Sequence, residues 1–170
     1  MSLSNIESKI VSLEEAVQIR NSYNWKGESV VFTNGCFDIL HTGHVTYLAK
    51  AAELGNRLIL GLNSDDSVRR LGKDVNRPIN SEDSRALVMS ALQFIDLVVV
   101  FDEDTPFEMI SKIVPDVLVK GGDYDEDESD KKSEKYIVGS DIVKENNGIV
   151  KTINLVDGFS TTNIINKIKS

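Results

Sequence analysis

The two histidines of the chain stand close together, at His41 and His44, with Gly43 between them. An apolar run, Val30, Val31 and Phe32, precedes them, followed by a polar link that contains Thr33, Asn34, Gly35, Phe37 and Asp38. After them Val45, Leu48, Ala49 and Ala52 recur at helical spacing. The pair therefore falls where a strand becomes a helix. A helix N-terminus offers N–H groups without intrahelical partners, together with a partial positive charge. Imidazoles add donors that can gain charge near neutral pH. This combination suits phosphate chemistry. A structural histidine beside a tight turn explains one imidazole readily and the pair less well.

Other residues fit the same chemistry. Ser160, Thr161 and Thr162 open the last helical run with adjacent hydroxyls, although an ordinary N-cap needs only one. Lys120, Gly121, Gly122 and Asp123 follow an apolar run, and the glycines either admit a ligand to the backbone or make a turn. Net charge is −8, so a phosphate ligand needs local cations, for which Arg69, Arg70, Lys73, Arg77, Arg85 and Lys120 are candidates. Cys36 has no histidine at a spacing that identifies a nucleophile's partner, and reads as a small packed side chain. Two histidines without cysteine or carboxylate company make no zinc site, so no side-chain metal site is expected. Neither a Walker A spacing nor the three-glycine dinucleotide fingerprint is present.

The elements that must position these groups are legible as alternating patterns. Apolar β-type runs at 29–34, 57–62, 96–101, 116–120 and 149–154 predict five strands. Helices are expected from the Ser12 capping box to about Tyr23, after the histidines, after Ser64 and Asp65, and from Asn80 or Ser81 to about Phe94. Two more are expected, one with Thr105 as cap and Pro106 in its first turn, reaching Ile113, and one at the C-terminus. Continuous apolar strands alternating with helices predict an α/β, doubly wound parallel sheet covered on both faces. Ligands of such sheets bind beyond the carboxyl ends of the strands. The residues expected there include Asn34, Asn63, Asp102, Glu103 and Lys120.

At 170 residues the chain fits one globular domain, with 1–27 as an N-terminal helix and lead-in and 28–170 as the main body. No apolar stretch approaches a membrane span, and the first residues lack the features of a signal peptide. One cysteine excludes an intrachain disulfide and fits a reducing compartment, so a cytoplasmic protein without a membrane partner is expected. The acidic charge argues against a nucleic-acid partner. Residues 123–135, rich in Asp and Glu, match no calcium loop and read as a mobile, solvated segment that could act as a lid.

Residues 35–44, ending in H-x-G-H, resemble the signature of the cytidylyltransferase-like nucleotidyltransferases. Asp157, Gly158, Ser160, Thr161 and Thr162 resemble the family's C-terminal element, with Phe159 in place of an isoleucine-like residue. Further matching pieces are Asn63, Ser64 and Asp65; Arg77, Pro78, Ile79 and Asn80; 119–124; and Val138 with Gly139. Within the family, the adenylyltransferase domains that make ADP-heptose are the nearest likeness.

The resemblance implies a Rossmann-like sheet of about five parallel strands and transfer of an adenylyl group from ATP, with Mg2+, to a sugar 1-phosphate. It implies His41, His44 and Lys73 as catalytic residues. Nucleotide contacts would come from Thr33, Asn34, Gly35, Phe37, Gly43, Asn63, Lys120, Gly121, Gly122 and Asp123, and Asp38 would either contact the nucleotide or hold the loop. Ser160, Thr161 and Thr162 would hold the β- and γ-phosphates, and Arg85 would support the site, directly or through its neighbours. A glycerol-3-phosphate cytidylyltransferase-like enzyme using CTP and a catalytically inactive nucleotide-binding module are the alternatives. A homodimer is implied. So is a free-standing transferase served by a separate kinase, with the acidic segment as an insertion.

Overall fold

The computed structural model describes residues 2–72, 76–156 and 158–169. Along the chain, α1 (Leu3–Glu7) and α2 (Leu13–Trp25) lead into β1 (Val30–Gly35), α3 (Thr42–Ala52), β2 (Arg57–Asn63) and α4 (Asp65–Arg70). Then follow α5 (Glu82–Ser90), β3 (Leu97–Phe101), α6 (Phe107–Ile113), β4 (Val117–Gly121), α7 (Ser140–Glu145), β5 (Ile149–Ile153) and α8 (Thr161–Lys169).

The strands form one parallel five-stranded sheet in the order β3-β2-β1-β4-β5. The chain winds outward from β1 to β3, then returns to the other side of β1 for β4. The order therefore reverses between β1 and β4, and a crevice opens at their carboxyl ends. Asn34, Gly35, Lys120 and Gly121 stand at that crevice because they are the last residues of those two strands.

Two-residue alternation along the strands decides which helix each side chain meets. Val30, Phe32, Ile59, Val99 and Leu118 pack with Ala16 of α2 and Met109, Ile110 and Ile113 of α6. On the other face, Val31, Leu58, Leu60, Leu62 and Val119 pack with Leu48 and Ala51 of α3 and Ala86 and Met89 of α5. Each fully buried Leu, Ile or Phe contributes about 1.5–3 kcal/mol relative to exposure. These two layers hold the strand ends, and hence the crevice, in place.

The N-terminal segment is tied to the same sheet. Ile10 bridges to Val98, and α2 starts at a complete capping box in which the Ser12 side chain and Glu15 each accept the other's backbone N–H. Among the described residues no helix is long and apolar enough to cross a membrane.

Several local expectations shift. Pro106 occupies the N-cap of α6 instead of its first turn, and no side chain caps that helix. Helix α5 ends at Ser90, and the chain reaches β3 through a turn closed by Ile95 N–H to Leu92 C=O. Helices α1 and α7 have no counterpart in the sequence reading. Gly139 starts α7 with φ 84°, where a Cβ would also come within 2.7 Å of Ile110.

The acidic segment is docked on the protein by named contacts. Asp125 N–H bonds Lys135 C=O at 3.0 Å, and Lys131 pairs with Asp141 of α7 at 2.5 Å. The Glu126 carboxylate accepts from Thr152 N–H at 3.1 Å and pairs with Lys151 at 3.2 Å. Strand β5 lies at the sheet edge, so its outward N–H needs a partner from outside the ladder, and Glu126 supplies it.

Candidate active site

Beyond β1 the chain turns sharply at Phe37, whose φ of 43° lies in the left-handed region. Its ring folds back over Gly35, where a Cβ would come within 2.8 Å of it. The turn delivers His41 to the N-cap of α3, and its Nδ1 accepts the backbone N–H of His44 at 3.3 Å. A neutral imidazole that accepts through Nδ1 carries its proton on Nε2, leaving a donor for a ligand. The two imidazoles stack, with ring centres 3.7 Å apart and 18° between planes. Phe37 meets His44 edge-on at 5.1 Å. Gly43 leaves room for this stack, since a Cβ there would sit 3.0 Å from His41 Nδ1 and 3.2 Å from the Phe159 Cβ.

Burial holds both imidazoles below the ordinary histidine pKa. His44 falls to about 4, through burial first and then the neighbouring charge of His41, and His41 is lowered by burial. Both shifts favour the neutral imidazole, and His44 Nδ1 is buried without a hydrogen-bond partner. An approaching polyanion would favour their charged forms.

The opposite wall comes from β4 and α8. Lys120 Nζ donates to Asn34 Oδ1 across the switch point and lies 5.5 Å from the centre of the Tyr124 ring. Ser160 Oγ accepts Asn163 N–H at 3.0 Å and so caps α8. Thr161 is buried and Thr162 is exposed. Phe159 lies near His41, with ring centres 6.4 Å apart.

These groups line a cavity of about 560 Å³, a size typical of small-molecule sites. Of the residues expected in contact with a ligand, the wall contains Asn34, Gly35, Phe37, His41, Gly43, His44, Asn63, Lys120, Gly121, Ser160, Thr161 and Thr162. Lys73 lies outside the described residues. Thr33, Asp38, Arg85, Gly122 and Asp123 stand off the wall. Thr33 is buried and its Oγ1 lies 2.7 Å from Tyr47 Oη, with which it shares a hydrogen bond. Gly122 sits against Asn154, and Asp123 points to the surface side of the chain, where it is exposed.

Asp38 and Arg85 lie behind the wall and are bonded within the protein. Asp38 is buried, and its Oδ1 accepts from the N–H groups of Ile79 and Asn80 at 2.8 and 2.9 Å. Its Oδ2 pairs with Arg77 at 3.1 Å, so the carboxylate is fully engaged inside the protein. Arg85 is 1% exposed and donates to Asn80 C=O at 3.0 Å, Cys36 C=O at 2.7 Å and Asp65 Oδ1 at 2.8 Å. One guanidinium thus joins two loops and the start of α4.

The sequence reading did not assign Cys36, Tyr47, Leu71, Asp104, Thr105, Pro106, Tyr124, Val138, Leu155 or Phe159 to the wall. Asp104 and Thr105 follow β3, so the strand-end rule that selected Asn63 extends to them. Tyr47 gave no such signal, because it lies within α3 and follows no strand end. Among the candidate cations, Arg77 reaches the cavity, while Arg69 pairs with Asp66 and Arg70 with Asp102 and Asp104. Among the described residues no group of three or more His, Cys, Asp and Glu gathers to hold a metal.

A doubly wound sheet with an H-x-G-H loop at its switch point defines a class of protein, and the family model described as cytidylyltransferase-like matches residues 32–167. The chain belongs to that family. It is 57% identical over 165 residues to the bifunctional protein HldE of Campylobacter concisus, covering 97% of this chain and 32% of that protein. It is 51% identical over 165 residues to the bifunctional protein HldE of Campylobacter jejuni, again across 97% of this chain and 32% of the relative. The chain therefore spans about a third of the length of these curated relatives.

Among solved structures, the lipopolysaccharide core biosynthesis protein from Thermoplasma volcanium aligns with a TM-score of 0.58 at 27% identity, over 76% of this chain and 98% of that one. The pantoate-beta-alanine ligase from Francisella tularensis, complexed with beta-gamma ATP and beta-alanine, aligns with a TM-score of 0.59. It covers 94% of this chain and 76% of that one, and at 13% identity it shares the fold alone.

Proposed function

We propose that the chain transfers the adenylyl group of ATP to D-glycero-β-D-manno-heptose 1-phosphate, giving ADP-heptose for lipopolysaccharide core synthesis and releasing pyrophosphate. The observation that carries this reading is the neutral, stacked pair His41 and His44 at the N-terminus of α3, in one cavity with Lys120 and the α8 hydroxyls. The HldE relatives support it at 57% and 51% identity.

In this reaction an oxygen of the sugar phosphate attacks the α-phosphorus of ATP. The bond from that phosphorus to the bridging oxygen breaks, and pyrophosphate leaves with the electron pair. No protein nucleophile is required, so catalysis rests on positioning and on meeting the developing charge. His41 and His44 would donate to the phosphoryl oxygens, assisted by the free N–H groups of α3. Lys120, Ser160, Thr161 and Thr162 would hold the β- and γ-phosphates, and Lys73 is the proposed cation over the α-phosphate. Magnesium would arrive as MgATP, coordinated largely by phosphate and water. A cytoplasmic homodimer completes the proposal.

Pyrophosphate release tests it, with ATP or CTP paired against a panel of sugar 1-phosphates and glycerol 3-phosphate. Release with ATP and the heptose 1-phosphate is expected. Release with CTP alone would replace the adenylyl reading by a cytidylyl one, and no release with any pair would leave a nucleotide-binding module.

A further inference from the structure

The cavity wall is uneven in charge. Its basic side chains among the described residues are Arg77 and Lys120, near β1 and β4, together with the two histidines. One carboxylate among the described lining residues interrupts this pattern: Asp104, in the loop after β3. A carboxylate repels phosphate oxygens, so it does not suit a subsite for the triphosphate. It is a strong acceptor for hydroxyl hydrogens, with room for about four hydrogen bonds.

The Asp104 side chain is 77% exposed at the cavity mouth, and its neighbours orient it. Ser64, the N-cap of α4, donates to Asp102, and Ser67 Oγ donates to the Glu103 carbonyl at 3.0 Å. Arg70, at the end of α4, donates to the Asp102 carbonyl and through Nε to Asp104 Oδ1 at 2.7 Å. Helix α4 thus anchors three consecutive residues of the loop and orients the carboxylate at its end. Arg70 uses one of the acceptor positions of Asp104, leaving others for a ligand.

Position agrees with chemistry. Strand β3 lies two places from β1 in the sheet, so the loop that carries Asp104 enters the cavity from the side of the histidines away from β4 and β5. The opposite end of the cavity, with Tyr124 and Leu155, offers the flatter, more apolar surface that a base prefers.

We infer that Asp104 binds ring hydroxyls of the phosphorylated acceptor and selects for a polyhydroxylated one, with Arg70 as its positioning residue and Thr105 beside it on the wall. This inference rests on the adenylyl-transfer reading and assigns the acceptor's half of that site.

Asp104→Asn tests it by steady-state kinetics on the full chain. The KM for the sugar 1-phosphate should rise about tenfold to a hundredfold, the range for losing a hydrogen bond to a charged group. The KM for ATP should stay within about twofold, and the penalty should shrink for acceptors lacking ring hydroxyls. Arg70→Ala should act in the same direction more weakly, with Arg70→Lys restoring part of the loss. An unchanged acceptor KM would overturn the assignment, as would equal rises in both KM values. A raised magnesium requirement with an unchanged acceptor KM would assign Asp104 to the metal instead and overturn it. Wild-type protein inactive with every sugar 1-phosphate would remove the adenylyl reading and this inference together, whereas an active wild type beside an unaffected variant removes this inference alone.

Discussion

The histidine loop and the start of α8 face one cavity, but the protein secures them differently. Behind the histidines, Asp38 accepts from Ile79 and Asn80 N–H and Arg85 donates to Cys36 C=O, partners about 40 positions away or more that close the loop onto Ile79, Asn80 and Arg85. The α8 hydroxyls rest on a local cap, Asn163 N–H to Ser160 Oγ, and on apolar contacts from Phe159 and the buried Ile165. The half assigned to transition-state charge is preorganised by long-range polar contacts. The half assigned to the phosphate tail relies on its helix end and its neighbours. Preorganisation matters most where charge develops during the reaction, since donors already in place need no rearrangement at that moment.

This contrast can be broken from either side. Asp38→Ala should have the largest effect. It leaves the Arg77 guanidinium, 8% exposed, without its ion pair and strands two backbone N–H groups, so urea unfolding should show a loss of about 3–5 kcal/mol. A loss below about 1 kcal/mol would mean that the histidine loop is held by something other than this carboxylate.

Ser160→Ala should act more mildly and on a different quantity. Removing the cap should cost about 1 kcal/mol of stability. The KM for ATP should rise about tenfold, as expected for one lost hydrogen bond to a charged phosphate. A fall in kcat with an unchanged KM for ATP would instead move Ser160 to the transition-state half and erase the contrast.

The same contrast explains what was legible in the sequence. Strands could be placed because apolar runs and helix caps are local signals, and the observed ends lie within a residue or so of the expected ones. His41, Gly43 and His44 were legible for the same reason: they are neighbours on one turn. Helix α7 was not, because it follows an acidic stretch and starts at a glycine in place of a hydroxyl cap. The roles of Asp38 and Arg85 stay open between ligand and loop in the sequence because their partners are remote; only the folded chain brings Asn80 between them. Asp104 escaped notice because the strand-end rule was applied to Asp102 and Glu103, which stand off the wall, and not to the residue after them.

The central claim is that the stacked histidines meet charge in the transition state and are not there to hold the fold. Turnover and urea unfolding of His44→Ala, measured on the same preparation, test it most directly. The account predicts a kcat about 10²- to 10³-fold below wild type, as for loss of one preorganised donor, with stability changed by less than about 1 kcal/mol. A kcat within tenfold of wild type, or a loss of activity that tracks unfolding, would contradict it.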